Sequence, residues 1–172
     1  YRGVFNFRVD YDEYDPSDFR STLDSLAANQ DACSHFICGS SYEAHPEALA
    51  ELRGCDVGAH GYHHHTYADY ESNLRNIRRS IEVLQGAGIE PSGFVSPHGR
   101  SSPGLLRALD ELGVSHSSEF ALVYDELPFW PGGTRVLQIP VHPVCLGLFL
   151  EAAAHRKGID AIRPQQAADL AA

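Results

Sequence analysis

The sequence predicts an α/β architecture with parallel strands, either an open sheet or a β/α barrel. Three observations carry this expectation. Short apolar stretches with strand character alternate with amphipathic stretches at helical spacing along most of the chain, the pattern of successive βαβ units. Helix caps and Gly stops separate them at short intervals. His and Asp residues fall just after the apolar runs: Asp10 and Asp12 after the first, His60 and His64 after the third, His98 after the fourth and His142 after the sixth. Functional groups of parallel α/β folds collect at those carboxyl ends.

Residues 3–9, GVFNFRV, place Phe5, Phe7 and Val9 at alternate positions, a strand pattern. After the turn-forming DEYDPS, residues 18–28 set Phe19, Leu23 and Leu26 on one helical face, with Ser17 as the expected cap behind Pro16. A second strand is expected over 36–38, then a helix over 46–52 stopped by Gly54, and a third strand over 55–59. Residues 69–85 carry Leu74, Ile77, Ile81 and Leu84 at helical spacing and end at Gly86. A fourth strand is expected at Phe94 and Val95, a helix over 105–112, strands over 116–121 and 136–141, and a helix over 146–154.

With 13 Lys and Arg against 23 Asp and Glu, the 172-residue chain carries a net charge of −10. That balance supplies no basic face, so nucleic acid and anionic membrane are not expected as partners. A composition of 43% hydrophobic and 21% charged residues, with a mean hydropathy of −0.26, is that of a globular chain. No run reaches the roughly 18 apolar residues of a membrane span, and the start, YRGVFNFRVD, lacks a signal-peptide pattern. There is no Met, which leads us to expect a piece of a longer protein. Residues 1–164 read as one domain and 165–172 as a loose tail. Cys33, Cys38, Cys55 and Cys145 form no C-x-x-C pair and read as buried thiols, which favours a reducing, cytoplasmic setting.

Four of the ten His lie in DVGAHGYHHHTY, residues 56–67: His60, His63, His64 and His65. The i, i+4 spacing of His60 and His64 brings two imidazoles to one side of a helical turn, and with a carboxylate they make a catalytic metal set. The competing reading is a solvated turn. FRVDYDEYDP supplies the carboxylates, and in an extended segment Arg8, Asp10 and Asp12 share the side opposite Phe5, Phe7 and Val9. One Asp can then ligate a cation while the other takes a proton. Metal-dependent oxygenases also use two His and one carboxylate, but generally on all-β folds, against the alternation here.

FRVDYDE, HGYHH, GFVSPHGR and VLQIPVHP occur in the order and at the approximate distances of the motifs of the polysaccharide deacetylases, the NodB-homology domains of carbohydrate esterase family 4, which this chain resembles over residues 4–143. The resemblance implies a distorted (β/α)7 barrel and a hydrolase that removes an N-acetyl group from an amino sugar or related carbohydrate by attack of cation-bound water. It implies a divalent cation, Zn2+ first, with Ni2+, Co2+ or Fe2+ compatible, held by Asp12, His60 and His64. Asp10 would be the base and His142 the acid that protonates the leaving amine; Tyr11 separates two Asp that the family usually has adjacent, so the roles of Asp10 and Asp12 are interchangeable at this stage. Tyr62, Pro97, His98 and Trp130 are expected at the substrate, with Phe129 and Trp130 either walling a groove or filling the core.

The chain departs from the family pattern at Gly61, where Ser or Thr is usual, and at Val95, where an Arg would hold the catalytic Asp. Arg8 and Arg100 are the candidates to replace that Arg beside Asp10. Residues 120–130 match the family's Asp and Trp motif only loosely. The alternative is a deacetylase-like domain that has lost catalysis and binds carbohydrate or a protein partner.

Overall fold

The computed structural model describes residues 6–119 and 127–141. Its strands β1 (Phe7–Tyr11), β2 (Cys33–Ile37) and β3 (Asp56–Ala59) pair in parallel in the order β1-β2-β3. Phe94 bridges Ala59 on one side and Ser117 on the other, both in parallel. It thereby joins β3 to β4 (His116–Ser117), which pairs in parallel with β5 (Leu137–Gln138). The sheet is therefore one arc, β1-β2-β3-Phe94-β4-β5, with Phe129 added antiparallel to Gln138 at its far side.

β2 is buried at every position, as a strand inside a parallel sheet must be. The crossovers are α1 (Pro16–Leu26), α2 (Gly39–Tyr42), α3 (Pro46–Glu51), α4 (Tyr70–Gly86) and α5 (Pro103–Glu111). The cap of α1 is Asp15 rather than Ser17: its carboxylate accepts from the N–H groups of Ser17 at 2.8 Å and Asp18 at 3.0 Å, and Pro16 takes the first helical position. Asp69 caps α4 through Ser72 N–H at 2.8 Å. The α4 stripe buries Leu74, Ile77 and Leu84, with Ile81 half-buried against the same core. Leu49, Leu52, Leu105 and Leu109 complete a centre in which each side chain contributes about 1.5–3 kcal/mol.

Two strands are shorter than their apolar patterns. The fourth narrows to the bridge at Phe94, because Pro97 offers no N–H and the chain turns at once through His98 in the left-handed region. The ladder of β5 covers only Leu137–Gln138, since Pro140 cannot donate, although the N–H groups of Ile139 and Val141 still reach the carbonyls of Ser117 and Glu119. Conversely, β2 starts three residues earlier than its apolar run. Cys33 and Cys38 are buried free thiols and Cys55 is half-buried. No helix among the described residues is long and apolar enough to cross a membrane. The expected helix over 146–154, the tail over 165–172, Cys145 and His142 lie outside the described residues.

Candidate active site

At the carboxyl end of this arc, β1 runs out at Tyr11 and delivers Asp12, while β3 runs out at Ala59 and delivers His60. Nε2 of His60 lies 3.1 Å, and Nε2 of His64 3.2 Å, from the same carboxylate oxygen of Asp12. His60 is 2% exposed, and its Nδ1 lies 2.8 Å from the Val95 carbonyl. A carbonyl can only accept, so Nδ1 carries a proton, and Nε2 faces Asp12, donating to it when protonated and free to ligate a cation when it is not. Burial holds His64 below the ordinary imidazole range, with the charges of His60 and His98 adding to it against Asp12. The hydrogen bond from His60 chiefly holds the Asp12 carboxyl below its usual range.

A proton or a cation among these three atoms satisfies them, since two unprotonated imidazole nitrogens facing one carboxylate oxygen would repel it. Asp12, His60 and His64 have ligand atoms within 4.8 Å of one another, and their spacing fits a cation with N and O ligands at about 2.0–2.2 Å. The donor set thus fits a divalent transition metal.

The His loop is not the helical turn that the i, i+4 spacing predicts. Residues 60–68 are irregular, and Gly61 adopts φ +82°. There a Cβ would lie 2.8 Å from the His63 carbonyl and 2.9 Å from Asn76 Nδ2, which is why Ser or Thr is absent. Two buried Asn on α4 shape the loop instead. Asn76 accepts from His63 N–H at 2.8 Å and donates to the carbonyls of His63 at 3.2 Å and His65 at 3.1 Å. Asn73 accepts from Tyr67 N–H and donates to the carbonyls of Tyr67 and Asp69. Thr66 Oγ1 donates to the Pro97 carbonyl, tying the loop to the turn beyond Phe94. Sequence reasoning missed both Asn; polar residues interleaved with Leu74 and Ile77 on a buried helix face were the available signal.

Arg8 and Asp10 share one face of β1, and the guanidinium meets the Asp10 carboxylate at 2.9 Å. Arg8 also donates to the Ser118 carbonyl at 3.0 Å, spanning from β1 to the end of β4. Arg100 makes no ion pair among the described residues. Asp10 and Asp12 line a common cavity of about 380 Å³ with Glu13, Tyr14 and Asp18. A second, of about 480 Å³, is lined by Asp12, Glu13, Cys38, Ser40, Ser41 and His64.

His98 packs its ring edge-on to His64, centroids 4.7 Å apart, from a φ of 60°. Pro97 is buried. The Tyr62 hydroxyl donates to Glu43 at 2.8 Å, and Arg79 lies over its ring, so Tyr62 is engaged on the flank of α2 and α4. Trp130 and Phe129, at 66% and 42% exposure, belong to neither the core nor these cavities. Glu119 is a buried carboxyl that sequence reasoning passed over. Burial pushes its pKa up, against the hydrogen bond from Ser96 and the charge of Arg8.

A sequence model described as polysaccharide deacetylase matches residues 9–117. A search of curated proteins by sequence finds no match. A family 4 carbohydrate esterase from Streptomyces lividans in complex with acetate superposes with a TM-score of 0.62 at 18% identity, covering 96% of each chain. A family 4 acetyl xylan esterase from Clostridium thermocellum in complex with cobalt gives 0.58 at 16% identity, over 90% of this chain and 85% of that one. A family 4 pseudoenzyme from Bacillus anthracis gives 0.59 at 12% identity, over 67% of this chain and 43% of that one. The chain spans 60% of a polysaccharide deacetylase-like protein from Mycobacterium smegmatis. The arc of parallel strands thus belongs to the NodB-type distorted (β/α) barrel.

Proposed function

The chain belongs to the polysaccharide deacetylase family, and from that premise we propose that it is a metal-dependent hydrolase removing an N-acetyl group from an amino sugar. The observation that carries the reading is the convergence of the His60 and His64 Nε2 atoms on one oxygen of Asp12. These three residues would hold the cation, Zn2+ first, with Ni2+, Co2+ or Fe2+ also suited to the donors. A divalent cation in such a site polarises a carbonyl oxygen and lowers the pKa of water toward about 7.

The remaining steps fall to the chain itself. Asp10, oriented by Arg8, accepts the proton of the attacking water. The Val95 carbonyl fixes the tautomer and ring angle of His60. His142, from the sequence motif, protonates the departing amine, giving acetate and a free amino group. Ser40 and Ser41 offer hydroxyls to a sugar in the cavity beside Asp12.

Val95 in place of an Arg favours a second reading, a domain without catalysis that binds carbohydrate or a protein partner. The Arg8–Asp10 pair weighs against it, because the acid that would lose its cation has one. Elemental analysis and acetate release from N-acetylated oligosaccharides, on the parent, His60→Ala and His64→Ala, test the proposal. Stoichiometric metal and acetate release in the parent, with both lost in the variants, are expected. Full activity in metal-free protein would overturn it.

A further inference from the structure

Asp12 lies one residue beyond β1, past the last rung of its ladder with β2, where the Tyr11 carbonyl accepts from Cys38 N–H at 3.1 Å. The sheet therefore fixes Tyr11 but not the main chain that carries the Asp12 carboxylate. Among the described residues, the Asp12 carbonyl accepts one hydrogen bond, from the Ser41 hydroxyl at 2.7 Å. Ser41 sits in α2, the single turn that follows β2. That turn is itself pinned to the His loop: Gly39 N–H donates to the Gly61 carbonyl and Ser40 N–H to the Tyr62 carbonyl, both at 2.8 Å. The approach is close, since a Cβ at Gly39 would lie 3.1 Å from the Tyr62 ring and 3.3 Å from its Cα.

We propose that Ser41 is a positioning residue for Asp12: its hydroxyl ties the main chain of Asp12 to a turn docked on the His loop, and so sets the carboxylate against His60 and His64. The inference rests on the reading of these three residues as the metal ligands. A cation held by one carboxylate and two imidazoles tolerates little spread in ligand position, and here the ligands arrive from β1 and β3, which are not neighbours. β2 lies between them, and the turn at its carboxyl end bonds to both sides. The Asp12 side chain is 49% exposed, so packing does not hold the carboxylate in place, and the bond at its own main chain does. The Ser41 hydroxyl gives its one proton to that carbonyl and keeps its lone pairs for the cavity beside Asp12. Tyr42 makes a parallel bond from its hydroxyl to the Glu13 carbonyl at 3.4 Å, one residue beyond the ligand.

The test compares Ser41→Val with the isosteric Ser41→Thr, which keeps the hydroxyl. With Zn2+ titrated calorimetrically into metal-free protein, Ser41→Val is expected to bind about tenfold more weakly than the parent, and Ser41→Thr near the parent value. Tyr42→Phe, which removes only the neighbouring bond to Glu13, should also bind near the parent value. In crystals of the metal-free proteins, the Asp12 carboxylate is expected to leave hydrogen-bond reach of the His60 and His64 Nε2 atoms in Ser41→Val and to keep it in Ser41→Thr. Parent Zn2+ affinity in folded Ser41→Val, an equal loss in Ser41→Thr or Tyr42→Phe, or an unmoved carboxylate would overturn the proposal. Should Ser41→Val fail to fold, Ser41→Ala carries the same readings. If the parent takes up no Zn2+, the metal reading fails by itself, and the metal-free crystals still decide whether Ser41 sets Asp12.

Discussion

Replacing Asn76 by Ala tests how the loop that carries His64 is built. The side chain is 6% exposed and makes three hydrogen bonds to loop backbone, at 2.8, 3.2 and 3.1 Å. At about 0.5–1.5 kcal/mol net each, with the loop groups left unpartnered on the α4 side, the loss is about 3 kcal/mol. The bonds fall on His63 and His65, the neighbours of His64, so the ring loses the clamp on both sides. Metal affinity should then drop about 10- to 100-fold, as it does when an outer partner of a ligand is removed. Urea unfolding of metal-free protein measures the first quantity and calorimetric Zn2+ titration the second. Asn76→Asp, which keeps the acceptor for His63 N–H and loses both donors, should lie between parent and Ala. A stability change under about 0.5 kcal/mol in Asn76→Ala, with unaltered affinity, would refute the reasoning.

Three further changes are open to measurement. Gly58→Ala puts a Cβ 2.3 and 2.6 Å from two ring carbons of Phe36 and 2.8 Å from the Gly93 carbonyl; overpacking of about 1–3 kcal/mol follows, seen as a thermal midpoint lowered by about 2–4 °C per kcal/mol. Gly61→Ser, which restores the hydroxyl the resemblance leads one to expect, meets a positive φ and two contacts under 3 Å; it should lower stability and weaken Zn2+ binding, and equal affinity in titration would contradict it. Arg135 holds the Asp110 carboxyl below its ordinary range through hydrogen bonds from its side chain and backbone N–H. The folded-state pKa is the lower one, so this contribution is present above the unfolded pKa and lost as pH falls through the folded one. Asp110→Asn should therefore melt below the parent at pH 7 and together with it at strongly acid pH.

The alternation was readable where the signal is periodic: α4 carries its apolar stripe at helical spacing, whereas β2, fully buried but carrying Ser34 and His35, was read only from Phe36 on. Arg8 and Asp10 were readable for the same reason, since residues two apart on a strand share a face and need no tertiary information to meet. The spacing of His60 and His64 pointed to two rings that the structure does bring together on Asp12, but through a different backbone geometry. An i, i+4 interval is helical only if the backbone is, and here Gly61 in the left-handed region and Asn76 from a distant helix close the loop. Ser17 lost the capping role to Asp15 because Pro16 set the first helical residue two places earlier. Asn73, Asn76 and Glu119 bond to partners 4 to 23 residues away, with no local period to betray them. Trp130 and Phe129 read as groove or core from residue type alone, and both are solvent-facing.

The two departures from the family pattern are each matched elsewhere in this chain, and the matches share a logic. Where the second motif lacks its hydroxyl, the loop turns through a conformation that admits no side chain at Gly61, and the missing bonds are supplied by an amide from α4. Where the third motif lacks its Arg, Val95 is fully buried, and a guanidinium arrives from β1, the strand that also carries Asp10. A tether on the same strand as Asp10 keeps its register however the neighbouring strands shift, but it needs a second anchor to define its direction. The Ser118 carbonyl is that anchor in the structure. The proposed hydrolysis accounts for an ion pair at Asp10 and three ligand atoms converging beside it, neither of which a purely binding domain requires. Their coexistence at one end of one sheet is the physical argument for the proposed hydrolytic site over a domain that only binds.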